Sequence, residues 1–325
     1  LFSAVIKTGR LPYFYHPGHD PGPRIKLIMS KEDEAKPASR DFSTISPSAK
    51  SLLLMKGYTN IPFARETAER ISYPAKYLPD LDNKDPLFLA RMLHFESRYW
   101  SINQLLDHSG IKNILELSSG FSFRGLEACK QKGVHYIDTD LPSMVEMKKG
   151  FIPDLLNEGE TISGTLELLP LNALDEEQFR AVVSRFPAGE IAIVNEGLLM
   201  YLNLEEKERL CKIIYQVLRE RGGCWITADI YVRQSNDHSK VRIDKTTSEF
   251  LKQHKVEDNK FGSFEEAREF FGRMGFQVDK EAAVDRSKLS ALRFFRAAAD
   301  RVNTAAFQKA PKMHATWRLS GKPAS

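Results

Sequence analysis

The stretch from Lys112 to Lys149, KNILELSSGFSFRGLEACKQKGVHYIDTDLPSMVEMKK, leaves few folds open to the chain. Ile114, Leu115 and Leu117 form a short apolar run ending in Ser118-Ser119-Gly120, the pattern of a buried strand entering a tight turn. Phe121 to Lys132 then suits a helix, with Gly133 as its stop. Val134, Tyr136 and Ile137 make a second strand that ends in Asp138-Thr139-Asp140. Strand, small-residue loop, helix, strand and acid make a parallel β-α-β unit, which crosses over right-handed. The Gly120 loop and Asp140 then share one edge of the sheet, where open α/β sheets bind ligands. A small-residue loop lets backbone N–H groups approach a ligand, and a helix N-terminus favours an anionic group. An acid roughly 20 residues further on can accept both hydroxyls of a ribose. The ligand implied is a nucleoside carrying something anionic or polar.

Two cofactors fit that outline. A dinucleotide needs a G-x-G-x-x-G loop for its pyrophosphate, and only Gly120 and Gly125 are present. S-adenosylmethionine has no pyrophosphate and needs only a grip on its carboxylate and ribose, so it is the better match. An ordinary tight turn in an α/β domain is the plain alternative.

The 325 residues allow one large α/β domain or two small ones. An apolar fraction of 42% can build a full core. Cys129, Cys211 and Cys224 show no C-x-x-C spacing, which points to a reducing, cytoplasmic setting and no structural metal. No apolar run approaches the roughly 18 residues of a membrane span. Of the net charge of +4, +3 lies before Met29, so the remainder is nearly neutral and argues against a broad nucleic-acid surface.

Residues 1–45 read as a leader and polar linker. Tyr13 to Pro23 is turn-rich and aperiodic, and Met29-Ser30-Lys31-Glu32 resembles an ordinary cytosolic start, so residues 1–28 are expected to lie outside the folded unit. Residues 46–108 hold two or three helices, with Ser46 as a cap and Pro47 behind it, and are expected to form a lid over the ligand edge. Residues 109–325 form the α/β domain. Its third strand is Gly164 to Leu171, and its fourth, Ile191 to Val194, ends in Asn195-Glu196. Leu204 to Arg221 is an amphipathic helix capped by Asn203 with Glu206 in the capping-box position. Further strands are expected at Cys224 to Ile230, Phe276 to Val278 and Ala315 to Leu319, with a substrate-region insertion near 231–262.

Together these motifs resemble the leucine carboxyl methyltransferase-like group of class I S-adenosylmethionine-dependent O-methyltransferases. Ile114 to Arg124 is similar to its loop, and Asp138-Thr139-Asp140-Leu141-Pro142 followed by Lys148 resembles its acid signature. Asn195-Glu196-Gly197-Leu198-Leu199-Met200-Tyr201-Leu202 resembles the element after its fourth strand, and Ser48-Ala49-Lys50 and Arg98 sit where the group has an early Lys and an Arg. The match runs from Ser46 to Gly223. Ser118 stands in place of the first loop glycine, a change compatible with the loop where its φ is negative. Ser122-Phe123 replaces Asp-Thr, and Asn172 replaces an Asp that meets the adenine amino group.

The resemblance implies a Rossmann-like, mostly parallel sheet with helices on both faces. It implies a cofactor carboxylate held by Lys50, Arg98 and Arg124, with Arg91 as a competitor for Arg98. It also implies contributions from Glu116 and Gly120, Asp140 on the ribose with Asp138 as runner-up, Asn172 at the adenine, and Glu196 at the amino group or the substrate. Methyl transfer to a carboxylate needs no base, and transfer to a hydroxyl does. Tyr201 and Glu196 are the catalytic candidates, with His94 and His238 as further bases. A single acid at Asp229 offers no metal cluster. The acceptor expected is a small molecule carrying a carboxylate or hydroxyl. The alternatives are a protein C-terminal carboxyl group or a module that binds S-adenosylmethionine without catalysis.

Overall fold

The computed structural model describes residues 46–73, 75, 77, 86–156, 161–233, 249, 252–297 and 312–322. The leader and linker over 1–45, His238 and most of the expected insertion lie outside the described residues. Three helices come first: α1 (Ser46–Lys56), α2 (Ala64–Ser72) and α3 (Pro86–Ser109). The alternating part follows as β1 (Asn113–Leu117), α4 (Arg124–Ala128), β2 (His135–Asp140), α5 (Pro142–Leu155), β3 (Thr165–Pro170), α6 (Glu176–Val183), β4 (Ile191–Asn195), α7 (Leu204–Arg221) and β5 (Gly223–Tyr231). It closes with α8 (Phe264–Arg273), β6 (Phe276–Glu281), α9 (Leu292–Ala297) and β7 (His314–Gly321). The strands form one seven-stranded sheet in the order β3-β2-β1-β4-β5-β7-β6. The first five are parallel, and β7 runs antiparallel between β5 and β6. This is the α/β, mostly parallel architecture expected from the sequence.

The central strands are apolar because both faces are covered. Ile191, Ala192, Ile193 and Val194 of β4 are each 0% exposed. Their side chains alternate between two cores. Ile193 joins Leu115 and Trp225 against Leu210 and Ile214 of α7. Ala192 and Val194 join Ile114 and Ile226 against Ile102 and Leu105 of α3. The second half of α3 is thus part of the core, which fixes its first half near the ends of the strands.

The capping box expected at Asn203 and Glu206 is present, and α7 ends on Gly222 at φ +75°. The helix expected over Phe121–Lys132 shrinks to α4. Ser122 N–H turns back to the Ser119 carbonyl, and Phe121 and Phe123 are drawn inward, so the helix starts late. At its far end the Cys129 carbonyl accepts from the Ser163 and Gly164 N–H groups at 2.9 and 2.8 Å, which diverts it from the helical ladder. Among the described residues no helix is long and apolar enough to cross a membrane, and no group of three or more His, Cys, Asp or Glu is placed to hold a metal.

Candidate active site

The strand order reverses between β2 and β4 on either side of β1, which opens a crevice at the strand ends. The loop leaving β1 is tightly wound. Ser118 and Gly120 both take left-handed conformations, at φ +50° and +55°. Gly120 does so freely, whereas the side chain of Ser118 makes it cost about 1–2 kcal/mol. The negative φ at which a serine would be compatible with this loop is therefore not the one that Ser118 takes. The winding lets Gly120 N–H donate to Asp140 Oδ2 at 2.7 Å, while Leu141 N–H donates to Oδ1 at 2.7 Å. Each carboxylate oxygen keeps a lone pair for a ligand. Burial pushes the Asp140 carboxyl up, and these two N–H groups oppose it. Asp138 lies one pleat deeper, bound to Lys148 and Ser119 Oγ at 2.5 Å each. It is 3% exposed and does not line the crevice.

The crevice is a cavity of about 570 Å³, within the range of small-molecule sites. Its wall includes Phe121, Asp140, Leu141, Met144 and Asn172. It also includes Arg91, His94 and Arg98 from α3, with Tyr201, Tyr231 and Val256. Glu196 lines the same cavity, and its side chain is 6% exposed. Lys56 meets it at 2.7 Å, Arg124 Nη2 at 2.8 Å and Arg98 Nη2 at 3.9 Å. Burial would raise this carboxyl, but Lys56, Arg98 and Arg124 together outweigh it and hold its pKa at about 2. Glu196 is thus a fixed anion and a poor base.

Arg98 Nη1 donates to the Tyr231 hydroxyl at 3.0 Å, and Nη2 to Asp229 Oδ1 at 3.3 Å. Its Nε is buried without a hydrogen-bond partner among the described residues. Tyr231 also shares a 2.7 Å hydrogen bond with His94 Nε2. Burial, reinforced by His314 and Arg98, holds His94 well below its ordinary value, so its imidazole is neutral. Burial raises the Tyr231 phenol well above its usual range. Asp229, read from sequence only as too isolated to bind metal, accepts from the N–H groups of Gly197, Leu198 and Leu199 at 2.6, 2.7 and 3.0 Å. It also accepts from Asn195 Nδ2 at 2.6 Å. Gly197 sits at φ +91°, and a Cβ there would stand 3.3 Å from Arg98 Nη2.

Several expected ligands sit elsewhere. Lys50 is exposed on the outer face of α1. The helical period turns Ala49, Leu53 and Lys56 to the cavity instead, so Lys56 is the α1 cation at the site. Arg124 is 2% exposed and not on the cavity wall. Its nitrogens are taken by Glu116 at 3.3 Å, the Tyr99 carbonyl at 3.0 Å, Asn103 and Glu196, which leaves no free fork for a ligand carboxylate. Glu116 is 0% exposed beneath the loop and also accepts from the Tyr136 hydroxyl at 2.7 Å, so it anchors Arg124 and does not face the cavity. Gly120, Asp140, Asn172, Glu196, Arg98, Arg91, His94 and Tyr201 all line the cavity. Asn172 Oδ1 is occupied by Leu174 N–H at 3.1 Å. Tyr201 packs edge-on against His254. Sequence reasoning missed Lys56, Tyr231 and the bracing role of Asp229. A count along α1 from Ala49 would have found Lys56, but nothing local marks the other two.

No protein-family model and no curated protein sequence matches the chain. Among solved structures, a DUF574 family protein from Streptomyces avermitilis is similar at 12% identity and a TM-score of 0.50, over 85% of this chain and 97% of that one. That likeness speaks to the fold alone, a Rossmann-like, mostly parallel seven-stranded α/β sheet. Magnesium protoporphyrin IX methyltransferase from Synechocystis, solved with bound SAH, aligns at 8% identity over 84% of this chain and 100% of that one, with a TM-score of 0.43. Mitomycin 7-O-methyltransferase aligns at 11% identity over 85% and 68%, with a TM-score of 0.42. At those scores the two carry no argument about this chain. Fold does not fix chemistry, so function rests on the cavity.

Proposed function

We propose that the chain is an S-adenosylmethionine-dependent O-methyltransferase acting on a small molecule. The observation that carries this reading is Asp140 at the tip of β2, with lone pairs free above the left-handed Gly120 loop. The residues fit the cofactor. Asp140 would take the ribose hydroxyls, Asn172 the adenine side, and Arg98, whose buried Nε has no partner among the described residues, would take the carboxylate together with Lys56. When bound, the cofactor supplies a sulfonium methyl that is already activated. The protein's part is then positioning and exclusion of water. The motifs running from Ser46 to Gly223 support a place beside the leucine carboxyl methyltransferase-like group, and a cytoplasmic setting fits the buried, unpaired cysteines.

The site favours an acceptor that needs no base. Glu196 is held near pKa 2, and His94 accepts a proton only at low pH. Tyr201 orients the acceptor in this reading and removes no proton. A carboxylate, already ionised, suits such a wall better than an alcohol. The helices over 46–108 act as the lid, with α1 and α3 supplying one side of the cavity.

Purified protein should show thermal stabilisation by S-adenosylmethionine or its homocysteine product, and none by NAD. No shift at roughly 1 mM, where a weak site fills, would count against the reading. Within that assay, Asp140→Ala should weaken binding by at least ~10-fold, since charge-assisted hydrogen bonds contribute about 1.5–3 kcal/mol each. Asp138→Asn should cost less affinity, because Asp138 reaches the ligand only through Ser119 and Lys148. Equal losses would mean that Asp140 acts by shaping the loop and not by direct contact.

A further inference from the structure

Among the described residues, the cavity-wall cations are matched with one exception. Lys56 has Glu196, Arg98 has Asp229, and Lys260 has Glu257 at 2.6 Å. Arg91 lines the same cavity, half-buried, with no hydrogen bond or ion pair among the described residues. A guanidinium in a partly dry wall is costly unless an anion reaches it.

Its place on α3 says where that anion belongs. Arg91, His94, Phe95 and Arg98 all line the cavity and recur at the spacing of one helix face. Arg91 and Arg98 are therefore two turns apart, about 10 Å along the axis. The Arg98 end lies against Asp229 of β5 and Glu196 just after β4, and β4 pairs with β1, whose loop meets Asp140 through Gly120. Arg91 lies toward the other end of the helix. Neutral His94 sits between the two and supplies no counter-charge.

We infer that Arg91 is the specificity-determining residue for the methyl acceptor, binding a carboxylate that the acceptor carries away from the group being methylated. The acceptor class is then a small bifunctional acid, a hydroxy acid or dicarboxylic acid whose second acid group stays free. A guanidinium fork grips a carboxylate through two parallel hydrogen bonds, which a neutral amide of the same shape cannot reproduce. This inference rests on the methyltransferase reading of the cavity.

The test is calorimetric titration of the full chain, alone and with saturating S-adenosylhomocysteine, using benzoate as probe and benzamide as its neutral isostere. Benzoate should bind at least ~10-fold more tightly than benzamide, a tenfold step being the smallest that a charged fork should give. Arg91→Gln should erase that preference, and Arg91→Lys should keep part of it as a point charge. Affinity for S-adenosylhomocysteine should not change in either variant, and thermal midpoints check that both fold. Absence of benzoate binding, equal binding of benzamide, or full benzoate affinity in Arg91→Gln would overturn the inference. A matching fall in S-adenosylhomocysteine affinity would overturn it too, because Arg91 would then serve the cofactor. If S-adenosylhomocysteine fails to bind at all, the cofactor reading fails, and the benzoate comparison on the free protein still judges Arg91.

Discussion

Asp229→Ala should destabilise the protein by at least ~3 kcal/mol and abolish ligand binding at the crevice. Removing one partner of a buried ion pair typically costs about 3–5 kcal/mol, because the other charge stays buried. Here that charge is Arg98, 3% exposed. Three backbone N–H groups lose their acceptor at the same time, each worth about 1–3 kcal/mol when left unsatisfied. They belong to Gly197, Leu198 and Leu199, which carry the chain from Glu196 to Tyr201 along the cavity wall. The loop must find other partners, and Glu196, Met200 and Tyr201 move with it. Urea denaturation measures the first effect and calorimetry with S-adenosylhomocysteine the second. A loss below about 1 kcal/mol, the range of an ordinary exposed pair, would mean that water replaces the carboxylate and that the loop is not braced from β5.

The difference between what could and could not be read from the sequence follows from how far each feature reaches along the chain. The β1 loop and the β2 acid are close in sequence, and a single β-α-β unit sets their geometry. The capping box of α7 is a contact between Asn203 and Glu206. Periodicity exposes such features. Asp229 depends instead on the β4–β5 register, in which Asn195 stands opposite Thr227, so that Asp229 comes level with the loop after Glu196. Nothing near Asp229 in the chain announces this. The fate of Arg124 was hidden for a similar reason. Its spacing after the loop suggested a ligand fork, but Glu116, Asn103 and Glu196 converge on it from three different elements and consume it. Lys50 rests on the resemblance alone, whereas the exposed and buried faces of α1 put Lys56 on the cavity wall. The shortened α4 reflects a tertiary override, in which two buried phenylalanines and the capture of the Cys129 carbonyl outweigh local helix preference.

Glu196→Gln should remove on the order of 3 kcal/mol of stability near pH 7, and the deficit should shrink as the pH falls. The side chain stands among Lys56, Arg98 and Arg124, and Lys56 has no other anion within salt-bridge distance among the described residues. Burial opposes ionisation, but the three cations prevail and the folded carboxyl titrates at about 2, against an ordinary value of 4.5. A carboxyl whose pKa is lowered by folding contributes stability that is complete above its unfolded value and lost as the pH drops through the folded one. The contribution of Glu196 is therefore present above about pH 4.5 and fades toward about pH 2. Glutamine matches the protonated acid in shape and charge, so wild type and variant should converge over that window. Urea midpoints for both proteins across it isolate this group, since every other carboxylate titrates in both. A deficit that stays constant with pH would show that the variant suffers from lost packing or lost hydrogen bonds and not from lost charge. The three cations would then be held by Glu116, Asp229 and solvent, and Glu196 would be free to turn toward a ligand.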